Sequence, residues 1–176
     1  MNRANARIRV LLTYLTSIAI AAGFVIGLAG PAFASGTRVP NPIPFGDDVQ
    51  VRDKVRSECD LGKKTAKFIA QYGDDIELVS GNLGNSGRVL DVKITQVFAA
   101  GGGAFSGPKW MELTGTLKQD GKDVASFRAK RFSTGGAFGA LKGTCAIIGR
   151  CTKTLGKDVA KWLKDPKDGA KLGDAR

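Results

Sequence analysis

Residues 109–132, KWMELTGTLKQDGKDVASFRAKRF, decide the fold of this chain. Apolar and polar residues alternate through 109–118 and again through 122–132, which is the period of a half-buried strand. Between the two segments stand Gln119, Asp120 and Gly121, residue types that are typical of a tight turn. The stretch therefore predicts a β-hairpin with one apolar face, and that face must be covered by another layer of structure.

The length of the turn sets which residues of the hairpin face each other. A two-residue Asp120-Gly121 turn places Leu113 opposite Arg128. A three-residue loop with Gly121 in the left-handed conformation places Leu113 opposite Phe127 and makes one face apolar. Because burial specifies register, we predict the three-residue loop with a glycine bulge.

This register predicts specific cross-strand pairs, each worth about 0.2–1 kcal/mol. The pairs on one face are apolar, and those on the other include an ion pair and a cation–π contact. The apolar pairs are Met111–Ala129 and Gly115–Ala125, and the polar-face pairs are Glu112–Arg128, Thr114–Ser126 and Trp110–Lys130.

Upstream of the hairpin, the pattern predicts one long strand and one short strand. Residues 88–98 alternate with a period of two, with Leu90, Val92 and Ile94 on the apolar face. Residues 76–79 are compatible with a short strand. The predicted sheet therefore has three or four antiparallel strands.

A first helix is predicted with Ser57 as its N-cap and Gly73 as its stop. A longer helix starting at Asp47 is an open alternative. The predicted apolar face advances by three and four residues, as in a helix that packs against a sheet. It comprises Leu61, Thr65, Phe68, Ile69 and Tyr72.

A closing helix is predicted with Thr144 as its cap and an end at Asp165, before Pro166. Gly149 and Gly156 lie inside it and are interpreted as positions of close approach to the sheet. Its apolar stripe is sharply periodic. The stripe comprises Ile148, Cys151, Leu155, Val159 and Trp162.

These elements predict an α+β domain over residues 57–165, in which two helices pack on one face of an antiparallel three- to four-stranded sheet. Residues 35–56 contain several prolines and are predicted to be an extended lead-in. Residues 166–176 are polar and are predicted to be a frayed tail.

Residues 1–34 have the organisation of a cleavable secretory signal. Three arginines precede an apolar run over 10–28, and Ala32-Phe33-Ala34 follows Pro31 as a small-x-small cleavage pattern. We predict that the mature protein is periplasmic or extracellular and keeps no stable transmembrane anchor. A retained membrane helix is the alternative.

Composition narrows the classes of function. The chain contains no histidine, so sites built on Ser-His-Asp or Cys-His groups and on His-ligated zinc are excluded. The first 34 residues hold three of the 27 Lys and Arg and none of the 16 Asp and Glu, which leaves a mature net charge of +8. A basic protein favours anionic partners. We predict no cofactor.

Three cysteines in an oxidising compartment suggest one disulfide and one free thiol. Cys59 and Cys145 each fall near the start of a predicted helix, so helices lying side by side bring them together. We therefore predict a Cys59–Cys145 disulfide and a buried free Cys151 on the apolar stripe. Cys145 and Cys151 point to opposite sides of one helix and are too far apart to pair.

Two glycine-rich loops repeat a Gly-Gly-Ala-Phe string at 102–105 and 135–138. Because glycine permits an open loop, Phe105 and Phe138 are candidate apolar tips for a partner or a lipid. The competing interpretation is a flexible connection whose phenylalanine lies in the core. Thr144, which follows the second loop, is a candidate for holding an anion at a helix start.

Lysines recur along one face of the closing helix and are a candidate anion-binding stripe. A solvated helix face is the competing interpretation, because acidic residues interrupt the positive charge. The stripe lacks interleaved aromatic residues, so nucleic acid is disfavoured as a partner. The stripe comprises Lys153, Lys157, Lys161 and Lys164.

Four short motifs, LTGTL at 113–117, DGK at 120–122, GTC at 143–145 and LGKDVAKWL at 155–163, resemble small exported bacterial proteins of domain families of unknown function. These families often occur as periplasmic lipoproteins, and the resemblance implies helices on an antiparallel sheet. The absence of a cysteine after the apolar run departs from the lipoprotein members. The resemblance carries no catalytic residue.

The sequence therefore predicts a non-enzymatic binding or scaffolding protein of the bacterial cell envelope, with an anionic envelope component as a candidate partner. One alternative is a secreted inhibitor or effector that acts through the phenylalanine-tipped loops. A second alternative is a histidine-independent enzyme that uses a carboxylate or a lysine.

Overall fold

A computed structural model describes residues 36–102, 107–134 and 141–176. The predicted signal and its cleavage pattern lie outside the described residues. The elements follow one another as two short helices inside a run of strands, then one long helix and a last strand. They are β1 (Thr37–Pro40), α1 (Asp53–Glu58), α2 (Leu61–Tyr72), β2 (Ile76–Val79), β3 (Arg88–Phe98), β4 (Lys109–Gln119), β5 (Lys122–Ser133), α3 (Thr144–Lys164) and β6 (Ala170–Gly173).

The six strands form one mixed sheet in the order β2-β1-β3-β4-β5-β6. The long strands β3, β4 and β5 form an antiparallel meander at its centre. The short strands β1, β2 and β6 pair in parallel with their neighbours. The fold class is α+β as predicted, but the sheet has two more strands than the largest number predicted, and its three short strands pair in parallel rather than antiparallel.

Helices α2 and α3 cover one face of the sheet, because apolar side chains alternate along β3, β4 and β5 toward that side. One continuous core joins this helix-covered face to the buried stripes of both helices. Phe127 of β5 meets Trp162 of α3 edge-on, with ring centroids 4.8 Å apart. The opposite face of the sheet, called the open face below, carries no helix among the described residues.

The proline-rich lead-in and the polar tail are both part of the sheet, which corrects the predictions for 35–56 and 166–176. β1 lies between β2 and β3, and Pro44 and Gly46 hydrogen-bond to Ile94 of β3. β6 extends the sheet beside β5. β1 and β6 have four residues each and no hairpin turn, so the sequence pattern does not reveal them, whereas β2 is the short strand predicted at 76–79.

The first predicted helix is two helices, and Ser57 caps neither. Asp60 adopts a left-handed conformation (φ 51°, ψ 38°) and separates α1 from α2. Ser57 lies inside α1, where its hydroxyl donates to the Asp53 carbonyl instead of to a helix start. Leu61, Thr65 and Ile69 of the predicted apolar face are buried, so α2 turns the predicted side toward the core.

The hairpin has the predicted faces but a different register. The turn is the two-residue Asp120-Gly121 turn, with both residues at positive φ. A bulge at Val124 then restores the apolar face, so that Gly115 pairs with Phe127. The pairing therefore differs by two residues from the one predicted. A shift of two leaves every side chain on its predicted face.

Helix α3 confirms the predicted stripe and the predicted end at Asp165. Thr144 is the first helical residue rather than the cap, and its hydroxyl donates to the Ala100 carbonyl at 3.2 Å. Gly156 lies against the backbone of Phe68, so it serves the contact between α2 and α3 rather than the predicted contact with the sheet. Gly149 has open space around it.

A disulfide joins Cys59 to Cys145, with the two Cα atoms 5.0 Å apart. It ties the junction between α1 and α2 to the first turn of α3, which is the pairing predicted from the sequence. Cys151 is free and buried, as predicted. Within the described part of the chain, no helix has the length and apolar character needed to cross a membrane.

Cys151 makes stability sensitive to alkaline pH. Burial raises the pKa of its thiol to about 12, and the charge of Asp174 acts in the same direction. In the unfolded chain the thiol ionises near its ordinary pKa of 9.0. The stability that comes from keeping the buried thiol neutral is therefore fully present below pH 9 and is lost as the pH rises toward 12. We expect the free energy of unfolding to fall by up to about 1.4 kcal/mol more per pH unit in the wild type than in Cys151→Ala. Urea unfolding at pH 8 and pH 10 measures this, and parallel pH profiles would contradict it.

Candidate functional site

Three aromatic side chains form a row across the open face of the sheet. Phe98 of β3 pairs with Trp110 of β4, and Trp110 pairs with Phe132 of β5. The Phe98 and Trp110 rings are nearly parallel, with centroids 6.1 Å apart. Phe98 is 46% exposed and Phe132 is 51% exposed. We call these three residues the aromatic row.

A bulge in β3 places Phe98 in the aromatic row. The register between β3 and β4 shifts between Ile94 and Gln96, and Thr95 is the extra residue. Before the shift, even-numbered residues such as Ile94 point toward the helices, whereas after it Val97 points inward and Phe98 outward. The Thr95 hydroxyl is buried and has no hydrogen-bond partner among the described residues.

Lys130 lies within the aromatic row. Its Nζ is 4.1 Å from the centroid of the Trp110 ring and 5.5 Å from that of Phe132. The contact with Trp110 was predicted from the hairpin, although the two residues are diagonal neighbours rather than direct partners. A lysine over two aromatic faces adds a positive charge to an apolar surface.

Next to the aromatic row, Glu112 is 2% exposed and accepts two hydrogen bonds from Arg128, at 2.8 and 2.9 Å. The hydrogen bond to Glu112 raises the pKa of the Arg128 guanidinium above its ordinary value. It also confirms the predicted contact, again as a diagonal pair. The fork-shaped geometry holds Arg128 flat on the open face.

A second row, which is basic, crosses the open face further along the strands. Lys93 pairs with Thr114, Thr114 with Arg128, and Arg128 with Lys171 of β6. Lys93, Arg128 and Lys171 are all exposed. Within the described ranges, Lys93 and Lys171 take part in no ion pair. We call Lys93, Arg128 and Lys171 the basic row.

A groove of about 630 Å³ adjoins both rows. Arg128, Lys130 and Phe132 form one side, and residues 173–176 form the other. Arg131 holds this last segment in place, because it binds Asp158 of α3 at 2.7 Å and Asp174 at 3.4 Å. Hydrogen bonding to Asp158 raises the pKa of Arg131. The groove is therefore built from the strand that the sequence pattern did not reveal and from the residues after it.

The predicted lysine stripe lies on the exposed side of α3. Two of its members are engaged by neighbouring residues. Lys164 forms an ion pair with Asp74 at 2.8 Å, and Lys157 lies 4.7 Å from the centroid of the Tyr72 ring. Lys153 and Lys161 are exposed. Two of the four lysines in the stripe thus contact neighbouring side chains, and the stripe lies apart from the two rows on the open face.

The two loop phenylalanines, Phe105 and Phe138, lie outside the described residues. Thr144 lines a smaller groove of about 430 Å³ at the start of α3, together with Arg52 and Lys54. Anion binding there stays a prediction. In the described part of the chain, no group of three or more Cys, Asp and Glu is placed to hold a metal ion.

Sequence reasoning missed Phe98 and Phe132 as candidate site residues. Phe132 has the same parity as Lys130 and Arg128, so an aromatic residue on the polar face of β5 was a usable signal. Trp110 stands out in the same way on β4. Phe98 gave no such signal, because its orientation depends on the bulge at Thr95.

This arrangement is chemically suited to binding. Two half-exposed aromatic rings provide apolar contact, the lysines provide charge, and the Glu112–Arg128 pair provides rigidity. In comparisons with known proteins, no family model matched the chain, and no curated protein sequence matched it significantly.

Proposed function

We propose that this chain is an exported, non-enzymatic binding protein of the bacterial cell envelope, which holds an anionic component on the open face of its sheet. The observation that carries the proposal is the aromatic row. Large aromatic side chains exposed together on an otherwise polar strand face mark interaction sites in soluble proteins. Here Phe98 and Phe132 are both about half exposed.

Charge supports an anionic partner. The mature chain is basic, and the exposed lysines of the basic row and Lys130 lie on the same face as the aromatic row. Positive charge beside aromatic surface favours a ligand that combines an apolar face with negative groups. The lysine stripe of α3 lacks such an aromatic neighbourhood over most of its length.

The disulfide supports the proposed location. Cys59–Cys145 closes a loop with a sequence separation of 86, and disulfides of this kind persist in oxidising compartments. The secretory signal predicted at residues 1–34 points the same way. Both features support a location outside the cytoplasm, where polymers and lipids of the envelope are available as partners.

The test is binding of the purified mature protein to an insoluble bacterial cell-wall preparation, measured by co-sedimentation. We expect Phe98→Ser/Phe132→Ser to lower the affinity at least fivefold, because apolar contact in the row is lost. Val124→Ser is the matched control, since Val124 is 54% exposed on β5 but lies far along the strand from the row. Equal sedimentation of both variants and the wild type would refute the proposal.

A further inference from the structure

We propose that the open face binds an acidic polysaccharide, with sugar rings against the aromatic row and carboxylates against the basic row. The inference rests on the proposed function and deepens it by naming the class of ligand. Three features support it: the spacing of the rows, the mixture of charges between them and the shape of the adjoining groove.

The spacing of the two rows fits a polymer rather than a single small anion. Phe132 and Arg128 are four residues apart on β5, which corresponds to about 13 Å along a strand. Lys130 lies between them on the same face. A ligand that reaches both rows must therefore extend over more than one ring and carry its negative groups at intervals.

The charges on the open face favour a glycan over a single-stranded nucleic acid. Asp91 faces the same side as the basic row, is exposed, and forms only a 3.5 Å ion pair with Lys118. Carboxylate oxygens accept hydrogen bonds from sugar hydroxyls, whereas they repel the closely spaced phosphates of a nucleic acid. An acidic glycan satisfies both kinds of protein charge.

The groove supplies a wall that a flat sheet lacks. Residues 173–176 rise beside Phe132 and Lys130 and enclose about 630 Å³, which is within the range of small-molecule binding sites. Arg176 adds a further positive group to this wall. A sugar ring in contact with Phe132 thus meets protein on two sides.

The experiment titrates the mature protein with four probes at 0.1 M salt, using calorimetry. The probes are oligomers of alginate, neutral dextran, polyglutamate and oligo-dT of matched length. Alginate combines sugar rings with carboxylates, dextran lacks the charge, polyglutamate lacks the rings, and oligo-dT combines aromatic bases with phosphates. We expect alginate to bind at least tenfold more tightly than each of the other three.

Paired charge variants locate the site. Lys93→Gln/Lys171→Gln removes two charges from the basic row, and we expect it to lower alginate affinity about tenfold. Lys153→Gln/Lys161→Gln removes the same charge from the exposed side of α3 and should leave the affinity within twofold of the wild type. Equal losses in the two double variants would overturn the placement of the ligand.

The outcomes separate this inference from the proposed function. Tighter binding of oligo-dT, or equal binding of polyglutamate, overturns the polysaccharide. Failure of alginate to bind overturns it too, and if cell-wall capture still depends on Phe98 and Phe132, the proposed function survives. If capture does not depend on them, the proposed function itself fails.

Discussion

Gly156→Ala is expected to destabilise the protein by about 1–3 kcal/mol, although alanine is the better helix former. A Cβ at this position would lie 2.9 Å from the carbonyl carbon of Phe68 and 3.1 Å from the amide nitrogen of Ile69. Both are backbone atoms of α2, so no side chain can rotate away to make room. The helices must separate, and the core between them loosens.

Gly149→Ala is the matched control in the same helix. Nothing lies within 4 Å of a Cβ at this position, so only the gain in helix propensity remains. We expect the free energy of unfolding to rise by up to about 1 kcal/mol. Urea unfolding of both variants measures the contrast, and a stabilised Gly156→Ala would show that the two helices are not in backbone contact.

Removing the disulfide is expected to cost about 2–5 kcal/mol, because the bond closes a long loop in the unfolded chain. Cys59→Ala/Cys145→Ala tests this in a Cys151→Ala background, where no other pairing can form. The sequence separation of 86 puts the expected cost toward the upper part of the range.

Reduction supplies the control for that variant. Dithiothreitol should lower the urea midpoint of the protein that keeps Cys59 and Cys145, and should leave the double variant unchanged. Equal midpoints for the oxidised protein and the double variant would mean that the bond contributes nothing measurable. Such a result would mean that the stability of the domain comes from packing of its core and not from the disulfide.

The elements predicted well were those whose signals are local. The alternation in β3, β4 and β5 and the stripe of α3 are repeated many times along the chain, so each was recognisable. β1 and β6 have four residues each and pair with strands distant in sequence, so nothing local marks them. The predicted sheet therefore has too few strands.

The register error has a specific cause. Both candidate turns assumed continuous pairing after the turn, but Val124 bulges out of β5 and is exposed. One bulge reverses the parity that the two-residue turn would impose, and the apolar face is kept. Thr95 does the same in β3, which is why Phe98 escaped notice as a site residue.

The candidate site was predictable only in part. Trp110 and Lys130 were paired from the hairpin, since both stand on its polar face. The groove depends on residues 173–176, which had been predicted to be a frayed tail. Sites built from segments that are distant in sequence need the topology before they can be recognised.

The topology has a consequence for the order of events during biosynthesis. Cys59 emerges from the ribosome long before Cys145 and Cys151. Once both of these have emerged, Cys59 can form a disulfide with either of them. Cys151 is withdrawn from solvent only after α3 has docked on the sheet. Docking of that helix is therefore expected to favour the Cys59–Cys145 bond, because it buries Cys151 and brings Cys59 and Cys145 together.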